Sequence, residues 1–127
     1  MVAQAPKLPP ALERIATTPV LAFERPAGFP HDKVTRLAAN RRIHTLGGVR
    51  IDFSNSHASV SESYALMRTH AAASRLARTE ATVKTGGLFF TRAVAVGQFA
   101  VGVAATTRAQ AKTLLALALS HLRRSER

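Results

Sequence analysis

The sequence predicts an α+β fold, an antiparallel four-stranded sheet built from two β-hairpins, each followed by a helix (ββα-ββα). Two observations carry this prediction. Pairs of apolar runs flank short glycine-containing turns at Gly47-Gly48 and at Gly97-Gln98, which is the pattern of a β-hairpin. A capping-box pattern, which marks the start of a helix, follows each pair at Ser59–Glu62 and at Thr107–Gln110. The repeated order fits either a degenerate internal repeat or a domain that arose without duplication.

The first thirty residues differ in composition from the rest of the chain. We predict an extended, Pro-rich N-terminal arm over residues 1–30 and a single α+β domain over residues 31–127. All six prolines lie in the arm, and because proline lacks an N–H and fixes φ, a long helix or a central strand is excluded there. One helical turn is expected at Ala11–Ala16, with Leu12 and Ile15 on one side. The apolar side chains of the arm favour docking, on a partner or on the domain's own core.

In the first half of the domain we expect a short helix at about residues 31–40, followed by a hairpin and a longer helix. The runs Ile43–Leu46 and Val49–Phe53 flank the two glycines, and a type I′ turn requires φ > 0 at both central positions. The first capping box then predicts a helix that continues to about Ala81. Helical spacing supports it in four apolar residues: Val60, Tyr64, Met67 and Ala71.

In the second half, the runs Leu88–Val96 and Phe99–Ala105 flank a glycine in the first turn position, which suits a type II′ turn. The turn sets the register of the two strands, and the expected opposite pairs are Val96 with Phe99, Val94 with Val101, Arg92 with Val103, Ala95 with Ala100, and Ala93 with Gly102. One face of this hairpin is therefore bulky and the other small. A helix follows to about Leu122, with one apolar stripe: Ala111, Leu114, Leu115, Ala118 and Leu122.

The charge balance is the strongest signal for function. The chain has 18 Lys and Arg against 7 Asp and Glu, with a formal net charge of +11, and 14 of the 18 are Arg. Such a charge repels itself until a polyanion or an acidic partner neutralises it, and the planar guanidinium matches phosphate with two parallel hydrogen bonds. The sequence thus predicts a non-enzymatic basic binding protein, a structural or assembly component that contacts the phosphate backbone of nucleic acid or another polyanion.

The arginines fall into three groups, at the first predicted hairpin, on the middle predicted helix and at the end of the last helix. Cations at the end of a helix also complement its dipole, which is a structural reason for some of them. The candidate anion-binding residues are Arg41, Arg42, Arg50, Arg68, Arg75, Arg78, Arg123, Arg124 and Arg127.

Several other classes of site have no support in the sequence. Cysteine is absent, which excludes disulfides and thiolate metal sites. No two of the five histidines are four residues apart, so a helical metal-binding pair is not expected, and no cofactor is predicted. No nucleophile elbow or phosphate-binding glycine loop is present, so an enzyme is not predicted. Met1–Pro10 has no apolar core of a secretory signal, which favours an intracellular protein.

Two alternatives remain open from the sequence. One is an oligomeric structural subunit of a virion or a multisubunit complex, whose N-terminal arm contacts neighbouring subunits. The other is a small membrane-associated subunit with a span near residues 88–107, a mostly apolar stretch that Arg92 and Gln98 interrupt.

Overall fold

The computed structural model describes residues 6–81 and 89–127, which form an α+β domain with an antiparallel sheet. Along the chain the elements are α1 (Pro10–Thr17), β1 (His31–Leu37), β2 (Thr45–Ser54), β3 (Ser59–Met67), α2 (His70–Ala81), β4 (Phe90–Val96), β5 (Phe99–Ala105) and α3 (Arg108–Ser125), with 3₁₀ turns at Ala22–Glu24 and Arg41–Ile43. The described strands form one sheet of five, in the order β1-β2-β3-β5-β4. The predicted α+β class is confirmed, and the predicted sheet of four strands in a ββα-ββα order is wrong.

The N-terminal segment packs on the domain's own core. Helix α1 begins at Pro10, where the missing N–H of proline costs no hydrogen bond. Leu12 and Ile15 lie on one side of this helix, as their spacing predicts, and both are fully buried. Phe29 is also buried in the same core. Residues 6–30 therefore supply part of the hydrophobic core that covers one face of the sheet.

Residues 31–37, which we expected to be helical, form the edge strand β1. Every residue of β1 pairs with β2, from His31 opposite Ser54 to Leu37 opposite Gly48. Val34 points to the core, and Arg36, on the same face, donates to Glu13 of α1 at 2.6 Å. The strand is stabilised by this pairing, which local periodicity in a short polar segment does not reveal.

The two glycines predicted as a hairpin turn, Gly47 and Gly48, lie inside strand β2. The predicted turn is wrong. Gly47 lies at a β-bulge, and at both glycines neighbouring groups approach the backbone too closely for a side chain. The register shifts between Thr45 and Gly47, and Gly47 has a φ of +142°, which L side chains rarely adopt. A Cβ at Gly47 would lie 3.1 Å from a methyl carbon of Leu12 in α1. The chain instead turns before β2, at residues 38–44.

The helix predicted from Ser59 to Ala81 begins only at His70, because residues 59–67 form the central strand β3. The pattern that looked like a capping box is the alternation of a strand, in which Val60, Glu62 and Tyr64 all point to the buried face. Helix α2 starts instead after Thr69, whose Oγ1 accepts from the backbone N–H of Ala72 at 3.1 Å.

The second hairpin has the register that the sequence predicts. Val96 pairs with Phe99, and the other four expected pairs are also present. Gly97 has a φ of +57°, as the first position of a type II′ turn requires. Leu88, the first residue of the predicted strand, lies outside the described residues.

Helix α3 begins where the second capping pattern predicts, and Thr107 Oγ1 accepts from Gln110 N at 3.0 Å. The Gln110 side chain accepts from Thr106, one residue before the helix cap. The helix continues to Ser125, past the expected end at Leu122. Four of the five residues of its predicted apolar stripe are buried, and Leu115 is partly buried.

Helices cover both faces of the sheet, but unequally. Helices α1 and α3 pack on the bulky face, where Ile51, Phe53 and Tyr64 are buried. Helix α2 packs on the small face, over Ala65 and Ala100. Because α2 mainly contacts β4 and β5, the β1–β2 part of the small face is open to solvent. Among residues 6–81 and 89–127, no helix combines the length and the hydrophobicity that a transmembrane helix needs.

Candidate anion-binding corner

The connection between β1 and β2 forms a well-defined loop at one corner of the sheet. Asn40 and Thr45 close it with backbone hydrogen bonds in both directions. The Asn40 side chain accepts from Arg42 N at 3.0 Å, and His44 adopts the left-handed conformation with a φ of 60°. This geometry leaves the side chains of residues 41–44 exposed.

The loop brings together arginines that are distant in sequence. A cavity of about 570 Å³ is lined by Arg41, His44 and Arg68. A second, of about 190 Å³, has a mostly apolar lining, to which His44 and Arg75 contribute the basic side chains. We call Arg41, His44, Arg68 and Arg75 the basic corner. Its arginines come from the loop, from the connection between β3 and α2, and from α2 itself.

The backbone that carries Arg68 is held by the second hairpin. The Gln98 side chain donates to the carbonyl of Arg68 at 2.8 Å, and Met67 N donates to the carbonyl of Gln98 at 2.8 Å. One residue of α2, His70, contacts the carbonyl of Gly97 through Nδ1 at 2.6 Å. The turn thus fixes the end of β3 and the start of α2, and with them the positions from which Arg68 and Arg75 extend.

The other predicted arginines lie in several places. Arg42 is exposed in the loop beside the basic corner, and Arg78 is exposed on α2. Arg50 is exposed on the open part of the sheet, where it pairs with Asp52 at 3.0 Å. Arg123 and Arg127 are exposed at the end of α3 and line neither cavity of the basic corner.

Arg124 is partly buried and is paired within the fold. Its Nε donates to Glu24 Oε2 at 2.8 Å, and a terminal nitrogen donates to Glu24 Oε1 at 2.5 Å and to the carbonyl of Pro19. His121 Nδ1 lies 3.3 Å from the same carboxylate, and Glu24 is only 1% exposed. Burial opposes the ionisation of Glu24, but the hydrogen bonds from Arg124 and His121 outweigh it and lower its pKa to about 2. Arg124 thus joins α3 to the N-terminal segment.

Most acidic side chains are paired or buried away from the basic corner. Four of them are paired with arginines elsewhere: Glu13, Glu24, Asp32 and Asp52. A hydrogen bond from Arg36 lowers the pKa of Glu13. Burial raises the pKa of Glu62 to about 8, helped by the charge of Glu24 and opposed by the hydrogen bond with Tyr64. Because Glu62 is protonated at neutral pH, the folded protein is more basic than its formal charge.

The buried carboxyl of Glu62 is a feature that sequence reasoning missed. The Tyr64 hydroxyl lies 2.8 Å from Glu62 Oε1 and 3.2 Å from the carbonyl oxygen of Ala118. A hydroxyl has one proton and cannot donate fully to both acceptors, so a protonated Glu62 supplies the second proton. The signal in the sequence was the position of Glu62 between Val60 and Tyr64 in a strand-like alternation.

The chemistry available at the basic corner is that of charge and hydrogen-bond donation. Arginine carries only donors, arranged to bind oxyanions. Within residues 6–81 and 89–127, no three His, Asp or Glu side chains form a group that could hold a metal ion. Comparisons with protein-family models, with curated proteins and with solved structures found nothing that matches this chain.

Proposed function

We propose that this chain is a non-enzymatic binding protein that contacts nucleic acid through its phosphate backbone, with the basic corner as the contact surface. The observation that carries the proposal is that Arg41 and Arg68 line one cavity and Arg75 lines the next, with His44 in the lining of both. These arginines come from three separate elements, so the fold brings together charges that the chain keeps apart.

The electrostatics favour a polyanion at this surface. Placing like charges together raises the free energy of the unbound protein, and an anion that neutralises them recovers that free energy. Five of the seven acidic residues are engaged elsewhere: Glu13, Glu24, Asp32 and Asp52 are paired with other arginines, and Glu62 is buried in the core. Guanidinium groups bind phosphate oxygens with charge-assisted hydrogen bonds, and phosphate contacts supply sequence-independent affinity.

Neither alternative from the sequence gains a comparable observation. The N-terminal segment, which the assembly alternative assigns to neighbouring subunits, contacts this chain's own core through Leu12, Ile15 and Phe29. Residues 90–96 and 99–105, within the stretch considered as a membrane span, form the β4–β5 hairpin. The nucleic-acid reading therefore has the stronger support.

We expect the affinity for a single-stranded oligonucleotide to fall steeply with salt concentration. Each phosphate contact on a single strand contributes about 0.7 to the slope of log affinity against log salt. Replacing Arg41, Arg68 or Arg75 singly with alanine should therefore lower that slope by about 0.7. Fluorescence anisotropy of a labelled oligothymidylate, titrated at several salt concentrations, measures the slope.

The matched control is Arg92→Ala, which removes an exposed arginine on the edge strand β4, and it should leave the slope unchanged. Affinity that does not depend on salt, or no binding to either RNA or DNA, would contradict the proposed function.

A further inference from the structure

A third cavity, of about 330 Å³, lies beside the basic corner, between α2 and the ends of β1 and β2. Its apolar lining includes Leu37, Ile43 and Leu76. It shares Thr45 with the larger cavity of the corner, and Ile43 and Leu76 with the smaller one. The three cavities are therefore neighbours around one loop, and a ligand whose phosphates lie on the corner has this cavity within reach.

One carboxylate in the lining of this cavity lacks a hydrogen-bond donor. Glu80 lies in the last turn of α2, and its Oε2 is buried without a partner among the residues that the structure describes. That oxygen lies over Gly102, where a Cβ would be 2.5 Å away. Gly102 lines a smaller cavity of about 150 Å³, and Glu80 lines both cavities. Burial raises the pKa of Glu80. A buried acceptor without a donor is unfavourable, so the site is suited to a ligand that brings N–H groups.

The combination of an apolar slot and a carboxylate fits a nucleobase. A cavity of this size is at the lower end of the range of about 300–1,000 Å³ for ligand sites, which are mostly apolar with a few polar groups that set orientation. Unpaired bases of a single strand are bound through apolar faces and through hydrogen bonds to their Watson–Crick edges. Guanine is the base that presents two adjacent N–H donors on that edge, and a carboxylate can accept both.

We infer that the cavity bordered by Leu37, Ile43 and Leu76 binds one unstacked guanine of a single strand, with the Glu80 carboxylate accepting from the guanine N1–H and 2-amino groups. This inference rests on the proposed function, because the phosphates of the same strand contact the basic corner. The corner supplies affinity that does not depend on sequence, and Glu80 supplies the preference for one base.

The test compares oligonucleotides that differ at a single base. Anisotropy titrations at one salt concentration use labelled oligothymidylate and the same strand with one central guanine, inosine or adenine. One guanine should tighten binding by about tenfold, as expected for a good bidentate contact. Inosine lacks the 2-amino group and should lose most of that gain, and adenine should bind like thymine.

The variant Glu80→Gln tests the recognition of guanine separately from the binding of phosphates. An amide has one acceptor oxygen, so the guanine preference should disappear while the affinity for oligothymidylate stays within about twofold. The control is Glu126→Gln, which alters an exposed carboxylate at the end of α3 and should keep the preference.

The possible failures are distinct. If no oligonucleotide binds, the proposed function and the inference both fall. If all four strands bind the unmodified protein equally, or if adenine is preferred, the guanine site is overturned and the phosphate-binding corner stands. If Glu80→Gln retains the preference, with an unchanged circular dichroism spectrum, Glu80 is not the group that recognises the base.

Discussion

Replacing Arg124 with methionine is expected to lower the free energy of unfolding by about 3 kcal/mol, because it leaves the carboxylate of Glu24 buried without its main partner. Arg124 donates to both oxygens of Glu24 and to the carbonyl of Pro19. After the change, Glu24 keeps His121 and Ser120, each at 3.3 Å. Urea denaturation followed by far-ultraviolet circular dichroism measures the loss.

The matched control is Arg123→Met, which removes the same charge from the neighbouring, exposed position and should change stability by less than about 0.5 kcal/mol. The double change Arg124→Met with Glu24→Leu removes both charges and should recover part of the loss, because no unpaired carboxylate remains buried. Equal stability of the Arg124 and Arg123 variants would show that the Glu24 ion pair does not hold the N-terminal segment.

The second large effect expected is a fall in stability as pH rises between about 4.5 and 8, which Glu62 causes. In the unfolded chain this carboxyl ionises near its ordinary pKa of 4.5, whereas in the folded protein it keeps its proton until about pH 8. Between these values the unfolded state binds fewer protons, so this contribution to stability is complete below pH 4.5 and is lost towards pH 8. Its slope is about 1.4 kcal/mol per pH unit.

The variant Glu62→Gln tests this directly. Glutamine has nearly the same shape, and its amide can donate to the Tyr64 hydroxyl, which then donates to the carbonyl of Ala118. Its stability should lack the slope that Glu62 contributes, so it should exceed that of the unmodified protein increasingly towards pH 8. Glu126→Gln, at an exposed site, should keep the original pH dependence. If the unmodified protein and Glu62→Gln show the same dependence, Glu62 is not held protonated.

The second half of the fold, from β4 to α3, could be predicted because short-range signals in the sequence specify it. The Gly97-Gln98 turn sets the register of β4 and β5 without help from the rest of the chain, and all five expected pairs are present. The capping threonine at position 107 similarly defines the start of α3. In both places the signal lies within a few residues of the structure that it specifies.

The first half depends on contacts that are distant in the sequence. Strand β1 exists because it pairs with β2, and Gly47 is required because Leu12 of α1 approaches it. In β3, a glutamate at a buried position hid the alternation of a strand, since Glu62 fitted a capping box equally well. The burial of Glu62 is explained by its hydrogen bond with Tyr64, whose hydroxyl also contacts the carbonyl of Ala118 in α3.

The sequence predicted that the protein carries an excess of arginine, but it did not predict where in the fold these arginines lie. Arg68 and Arg75 were paired on one predicted helix, whereas Arg68 precedes α2, and the loop with Arg41 and His44 brings them around one surface. Arg124, predicted to bind an anion, pairs with Glu24 of the N-terminal segment. A count of arginines cannot separate those paired internally from those that face solvent.

The measurement that tests the central claim most directly compares two triple variants that lose the same charge. One replaces Arg41, Arg68 and Arg75 with alanine, and the other replaces the exposed Arg14, Arg123 and Arg127. Both are titrated with a labelled single strand at about 0.1 M salt, after circular dichroism has shown that they are folded. We predict that the first loses binding by at least about a hundredfold, on the basis of three lost phosphate contacts, while the second stays within a few-fold of the unmodified protein. Equal losses in both variants would mean that net charge alone binds the strand, and a larger loss in the second would place the contact surface at the end of α3 and α1 instead of at the basic corner.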